Sequence, residues 1–211
     1  MAEKKLGRKE RERLLHQEEI FQAAEKLFSE KGFEATTMDD IAAAAEFAKG
    51  TLYKHFESKD ELFTELVATK IEAVHAIFRN IIAAGDRTKE LVRSIIHAQL
   101  RYFEDNLSFL KILIAENSRI LLKDGSETRS MVRKKYLEHT ELFAEVLQQV
   151  NTSIAPRTAD IISLACALTG MINAFAFNWA LNEQVRTRST LSSYTDTIFS
   201  IFCDGSYLPH A

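Results

Sequence analysis

The stretch FEATTMDDIAAAAEFAKGTLYKHFESKDELF, residues 33–63, decides how the rest of this chain is read. Thr37 stands ahead of an apolar-periodic run and Asp40 follows three residues later, the spacing of a capping box with a short acid. The helix it opens is short, with Met38, Ile41, Ala42 and Ala45 on one face. A tight turn, Ala45-Glu46-Phe47, separates it from a second short helix running from about Ala48 to His55. The small side chains of Ala42 and Ala45 let the two helices approach, while Ile41, Phe47 and Leu52 fill the corner between them. This is the pattern of a helix-turn-helix, whose second helix enters the DNA major groove while the first crosses the backbone. The second helix offers Lys49, Gly50, Thr51, Tyr53, Lys54 and His55. Lysine and tyrosine donate to phosphate, and a glycine lets the backbone come near the groove. Ser58 caps a long helix starting near Lys59, and capped helix starts at Thr37 and Ser58 turn free N–H groups toward phosphates.

Three segments in this order, GFEATTMDDIA, AKGTLYKHF and SKDELF, resemble the tetracycline-repressor-like (TetR) transcriptional regulators over about residues 16–65. The remaining two-thirds resembles that family only in architecture. The resemblance implies a two-fold dimer on a palindromic operator, repressing until a ligand binds the body. By position it implies phosphate contacts from Thr37, Tyr53, His55 and Lys59, and groove contacts from Lys49, Gly50, Thr51 and Lys54. The family usually has glycine where this chain has Glu46, so a left-handed turn there implies strain of about 1 kcal/mol. It usually has serine or threonine where Ala48 stands, so the second helix lacks a side-chain cap worth about 1 kcal/mol.

The surrounding sequence fits an all-α protein. Among 211 residues there are two prolines and seven glycines, too few for the turns of a sheet-rich chain. Periodicity predicts about nine helices: a three-helix DNA-binding head, then a helical body for ligand binding and dimerisation. The expected divisions are a loose basic arm (1–14), the helix-turn-helix domain (15–60) and the body (61–211). The net charge of −3 gives no global attraction to nucleic acid, but charge is unevenly spread. Residues 1–13 carry +3, and Phe47 to Lys59 carries +2. Local basic patches on a mildly acidic protein suit a dedicated anion-binding face.

Cys166 and Cys203 have neither metal nor disulfide spacing and are expected as buried, reduced thiols of a cytoplasmic protein. The charge-free run from Ile161 to Leu181 is long enough to span a bilayer. Its alanines, Gly170, Asn173 and Asn178 favour burial against a partner instead, and no membrane association is expected. With the final helix it predicts a four-helix homodimer interface.

Polar groups on otherwise apolar body helices suggest an unknown, largely apolar small-molecule effector. The candidates are His75, His97, Arg101, Glu116, His139 and Asn173, with Phe78, Phe109, Phe143 and Phe177. No metal site and no cofactor are expected. No nucleophile–base pair, phosphate loop or metal motif points to an enzyme; His97, Glu116 and His139 are the only conceivable acid–base set. The rival reading is a ligand-binding or adaptor protein whose head contacts protein rather than DNA.

Overall fold

Helix α1 (Arg8–Lys31) starts well before the point where apolar periodicity becomes visible at Ile20. The arm was expected to be loose to about Leu14, but residues 8–14 are helical. Strong helix formers fill this segment, and Arg13 pairs with Glu10 one turn back at 2.9 Å. The computed structural model describes residues 7–85, 88–122, 127–150 and 160–205. Arm residues 1–6 lie outside these, as do the helix breaks expected at Lys123-Asp124-Gly125 and at 151–156 and part of the one expected at Gly85-Asp86.

The described residues form ten α-helices rather than nine. After α1 come α2 (Met38–Ala44), α3 (Lys49–His55), α4 (Lys59–Ala83), α5 (Lys89–Asp105), α6 (Leu107–Leu122) and α7 (Glu127–Val150). The chain ends in α8 (Ile161–Leu181), α9 (Glu183–Arg186) and α10 (Thr195–Asp204). The sequence reading missed α9, a single turn capped by Asn182. Apolar periodicity predicts a last helix over 191–203, but its first turn is a 3₁₀ turn (Leu191–Tyr194) ahead of α10.

The head closes around one apolar centre. Phe28, Phe33 and Phe63 pack ring on ring with centroids 5.0–5.5 Å apart, and Phe21 meets Phe56 at 5.5 Å. Ile20, Ile41, Leu52 and Leu62 fill the remaining space and are fully buried. Helix α4 leaves this head without a break and becomes the spine of the body. There it packs on α7 and α5, while α7 packs in turn on α8. The 60/61 division read from sequence therefore falls within the first turn of one continuous helix.

Helix α8 buries Leu168, Thr169, Ile172, Ala176 and Trp179 against the body. Its other side, through Ser163, Ala167, Gly170, Ala174 and Asn178, is exposed and uncharged. Cys166 lies on that outer side and is exposed, and Cys203 is only half-buried, so neither thiol has the burial expected of it. By length and composition α8 is the one described helix apolar enough to cross a membrane.

Candidate nucleic-acid interface and body cavity

The turn between α2 and α3 takes the form the sequence implied. Thr37 Oγ1 accepts from Asp40 N at 3.1 Å and Asp40 Oδ2 accepts from Thr37 N at 3.0 Å, which completes the capping box. The α2 chain end then reverses through Glu46 at φ 59°, the left-handed region. Phe47 N donates to Ala42 O at 2.9 Å and locks the reversal. Ala48 caps α3 with no side-chain hydrogen bond. Ser58 Oγ accepts from Glu61 N at 3.1 Å and starts α4.

This framework turns Leu52 fully inward and leaves Lys49, Gly50, Tyr53 and Lys54 exposed on α3, with Thr51 and His55 half-buried. Thr37 is exposed at the start of α2. Lys49 pairs with Asp39 of the preceding helix. His55 lies against α1, its ring 6.0 Å from that of His16. Burial, then the nearby His16 and Arg13, push its pKa below the ordinary histidine value. That direction favours the uncharged, hydrogen-bonding ring at neutral pH.

Lys59 departs from its expected role. Its ammonium donates to the carbonyls of Phe33 at 2.7 Å, Thr36 at 2.7 Å and Glu34 at 3.2 Å, and sits 4.4 Å above the Phe33 ring. A lysine has three N–H donors, and all three are directed at the α1–α2 loop instead of outward to phosphate.

A second feature links head to body. Lys70 of α4 pairs with Glu25 of α1 at 2.7 Å and donates to Asn106 Oδ1 at the α5–α6 corner at 3.1 Å. Tyr102 OH donates to Lys70 O at 2.7 Å. One residue along from this junction, Ile71 lines a body cavity of about 120 Å³. The cavity lies among α4–α8, with Phe103, Phe109 and Phe177 in its wall.

Four of the ten sequence candidates line it: Phe109, His139, Asn173 and Phe177. The others lie elsewhere. Phe78 and Phe143 are buried in the core, where Phe78 meets His139 at a tilt and Phe143 meets it edge-on. Arg101 is exposed and ion-pairs with Glu104 and Asp105. His97 hydrogen-bonds Thr195 at 3.2 Å on the opposite side of α5, and Glu116 is half-buried outside the cavity wall.

His75 sits behind the cavity, its Nε2 3.2 Å from Nδ1 of His139. Its Nδ1 and the carboxylates of Glu72 and Glu138 lie within 4.8 Å of one another, a spacing that could hold a cation. The Lys135 ammonium already meets both carboxylates, at 2.5 Å from Glu72 and 2.9 Å from Glu138.

Sequence reasoning missed Gln99 and Thr169, which both line the cavity. The signal was present. Gln99 interrupts the inward stripe Leu91, Val92, Ile95, Ile96, Leu100 and Phe103 of α5, and Thr169 interrupts that of α8.

The head is thus a helix-turn-helix presenting one short helix outward from a closed three-helix core. Residues 20–66 match the bacterial regulatory proteins of the tetR family. It is 30% identical over 169 residues to the HTH-type transcriptional regulator YerO of Bacillus subtilis (strain 168), itself uncharacterised. That match covers 78% of this chain and only 57% of YerO, little more than half its length. Among solved structures, a Clostridium perfringens protein assigned as a fatty acid metabolism regulator is 26% identical, with TM-score 0.75 over 90% of this chain and 99% of that one. FadR of Bacillus subtilis, solved with stearoyl-CoA, shares the fold at 17% identity, TM-score 0.75, over 90% of this chain and 99% of its own.

Proposed function

We propose that the protein is a cytoplasmic, homodimeric transcriptional repressor that leaves a palindromic operator when a small molecule fills the body cavity. The observation that carries this reading is the outward face of α3, with Lys49, Gly50, Tyr53 and Lys54 exposed on a capped, closed head. Lys49, Gly50, Thr51 and Lys54 address the groove. Tyr53, Thr37 and the neutral His55 donate to phosphate oxygens. Lys59 acts behind the interface, holding the loop that carries α2.

Dimerisation supplies the second half-site. The exposed, charge-free side of α8 and the half-buried Phe199, Ile201 and Phe202 of α10 fit a second copy of the same pair across a two-fold axis. Two recognition helices must then lie about 34–36 Å apart, one turn of DNA. A ligand among α4–α8 shifts α4 and the α5–α6 corner, and the Lys70–Glu25 pair carries that shift to α1. The effect is a change in population between dimers that match the operator and dimers that do not.

Selection from a random duplex library tests the reading. The expected product is a palindrome, bound with a steep salt dependence. Tyr53→Ala should weaken binding to it by tenfold or more while leaving the dimer and its melting unchanged. Absence of any duplex preference at moderate salt would sink the proposal and favour a head that contacts protein.

A further inference from the structure

The cavity wall carries a chemical signature that narrows its ligand. Gln99 Oε1 and Thr169 Oγ1 are buried atoms with no hydrogen-bond partner, and both residues line the cavity. Gln99 is 3% exposed and Thr169 5%. Buried polar groups are nearly always satisfied, because leaving one unpaired forfeits its hydration without compensation. Leucine and valine would fit these two stripe positions with no such loss. Gln99 on α5 and Thr169 on α8 therefore each present an unsatisfied oxygen in the wall of the same cavity.

The rest of the wall sets size and charge. Ile71, Val74, Phe103, Phe109, Leu113 and Phe177 make it mainly apolar, with an aromatic share suited to a flat ring. Among the described residues, no lysine, arginine, aspartate or glutamate lines it. His139 cannot act as a cation there, because burial and then the neighbouring His75 lower its pKa to about 3. A carboxylate, phosphate or ammonium would enter without a counter-charge. The volume of about 120 Å³ is near that of cavities that hold a single benzene-sized ring, about 150 Å³.

Building on the reading that this cavity is the effector site, we propose that its ligand is a compact, uncharged, single-ring molecule bearing a hydroxyl. The ring rests among the phenylalanines and the hydroxyl bonds Gln99 and Thr169. The hydroxyl donates to Gln99 Oε1 and accepts from Thr169 Oγ1, which satisfies both atoms at once.

Calorimetry on the full chain with four probes tests this: p-cresol, toluene, benzoate and stearoyl-CoA. The expected order is p-cresol about tenfold tighter than toluene, the worth of a buried hydrogen bond, with benzoate weaker than both. Gln99→Leu and Thr169→Val should each erase the p-cresol preference while toluene still binds, which shows that the cavity remains folded. Tighter binding of benzoate or stearoyl-CoA, no binding of p-cresol, or a p-cresol preference that survives both substitutions would overturn the proposal. Operator release is read in parallel. Release by stearoyl-CoA but not p-cresol refutes this ligand class and leaves the repressor reading standing. A protein that never binds operator refutes the repressor reading alone.

Discussion

Glu46 holds a backbone conformation that suits glycine, at φ 59°, because the α2–α3 reversal requires it whatever residue occupies the site. An L-residue there is strained by about 1 kcal/mol, partly offset by glycine's greater freedom when unfolded. Glu46→Gly should therefore raise the unfolding free energy by up to about 1 kcal/mol in urea titrations, with DNA binding unchanged or improved. The buried His75 and His139, with the half-buried His55, give stability a pH dependence of known sign. His139 takes up its proton near pH 6.5 when unfolded but only near pH 3 when folded, and burial lowers His75 and His55 in the same direction. The His139 contribution is complete above about pH 6.5 and is lost as pH falls toward 3, because the unfolded chain then binds more protons, and those of His75 and His55 have the same sign. His139→Gln should flatten this acid arm, measured as melting temperature against pH.

The helices separate what sequence made legible from what it did not. Thr37, Asp40 and Ser58 announced the starts of α2 and α4, because a cap is a local hydrogen bond between neighbours in sequence. The start of α1 was not legible, since Arg8–Leu15 is held helical by charged pairs and propensity rather than by an apolar stripe. The cavity was half legible. Aromatic residues mark a core, but whether Phe143 or Phe177 faces the void depends on how five helices close around it. Lys59 was misread for a related reason: its carbonyl partners lie on the α1–α2 loop, 23–26 residues away in sequence. Lys59→Met removes three charge-assisted bonds and should cost about 1–3 kcal/mol of stability. Its operator affinity should fall with an unchanged salt slope, whereas loss of a true phosphate contact would lower the slope by about 1.

At the scale of the proposed dimer, Gly170 offers a way to separate protomer stability from pairing. A side chain added there meets nothing within 4 Å in the single chain, although the position lies mid-helix on the exposed side of α8. Gly170→Glu should favour the α8 helix by about 0.5–1 kcal/mol in the protomer while placing like charges across the two-fold axis. Light scattering should then report a well-folded monomer with operator affinity reduced at least tenfold. A dimer that persists would move the interface away from α8.

The Lys59 clamp also has a mechanical meaning. Because α4 is keyed to its loop at the first turn, the rod and the DNA-reading unit turn together, like a gear without backlash. At about 1.5 Å per residue the arm from Ile71 to Lys59 is about 18 Å long, so a tilt of about 5° displaces the reading unit by about 1.6 Å. In the proposed dimer the two-fold axis repeats the displacement in the second arm, so the spacing of the two heads would change by up to about twice that distance. On the proposed repressor reading, a ligand of one ring in the body cavity would have leverage enough to spoil the fit of both subunits.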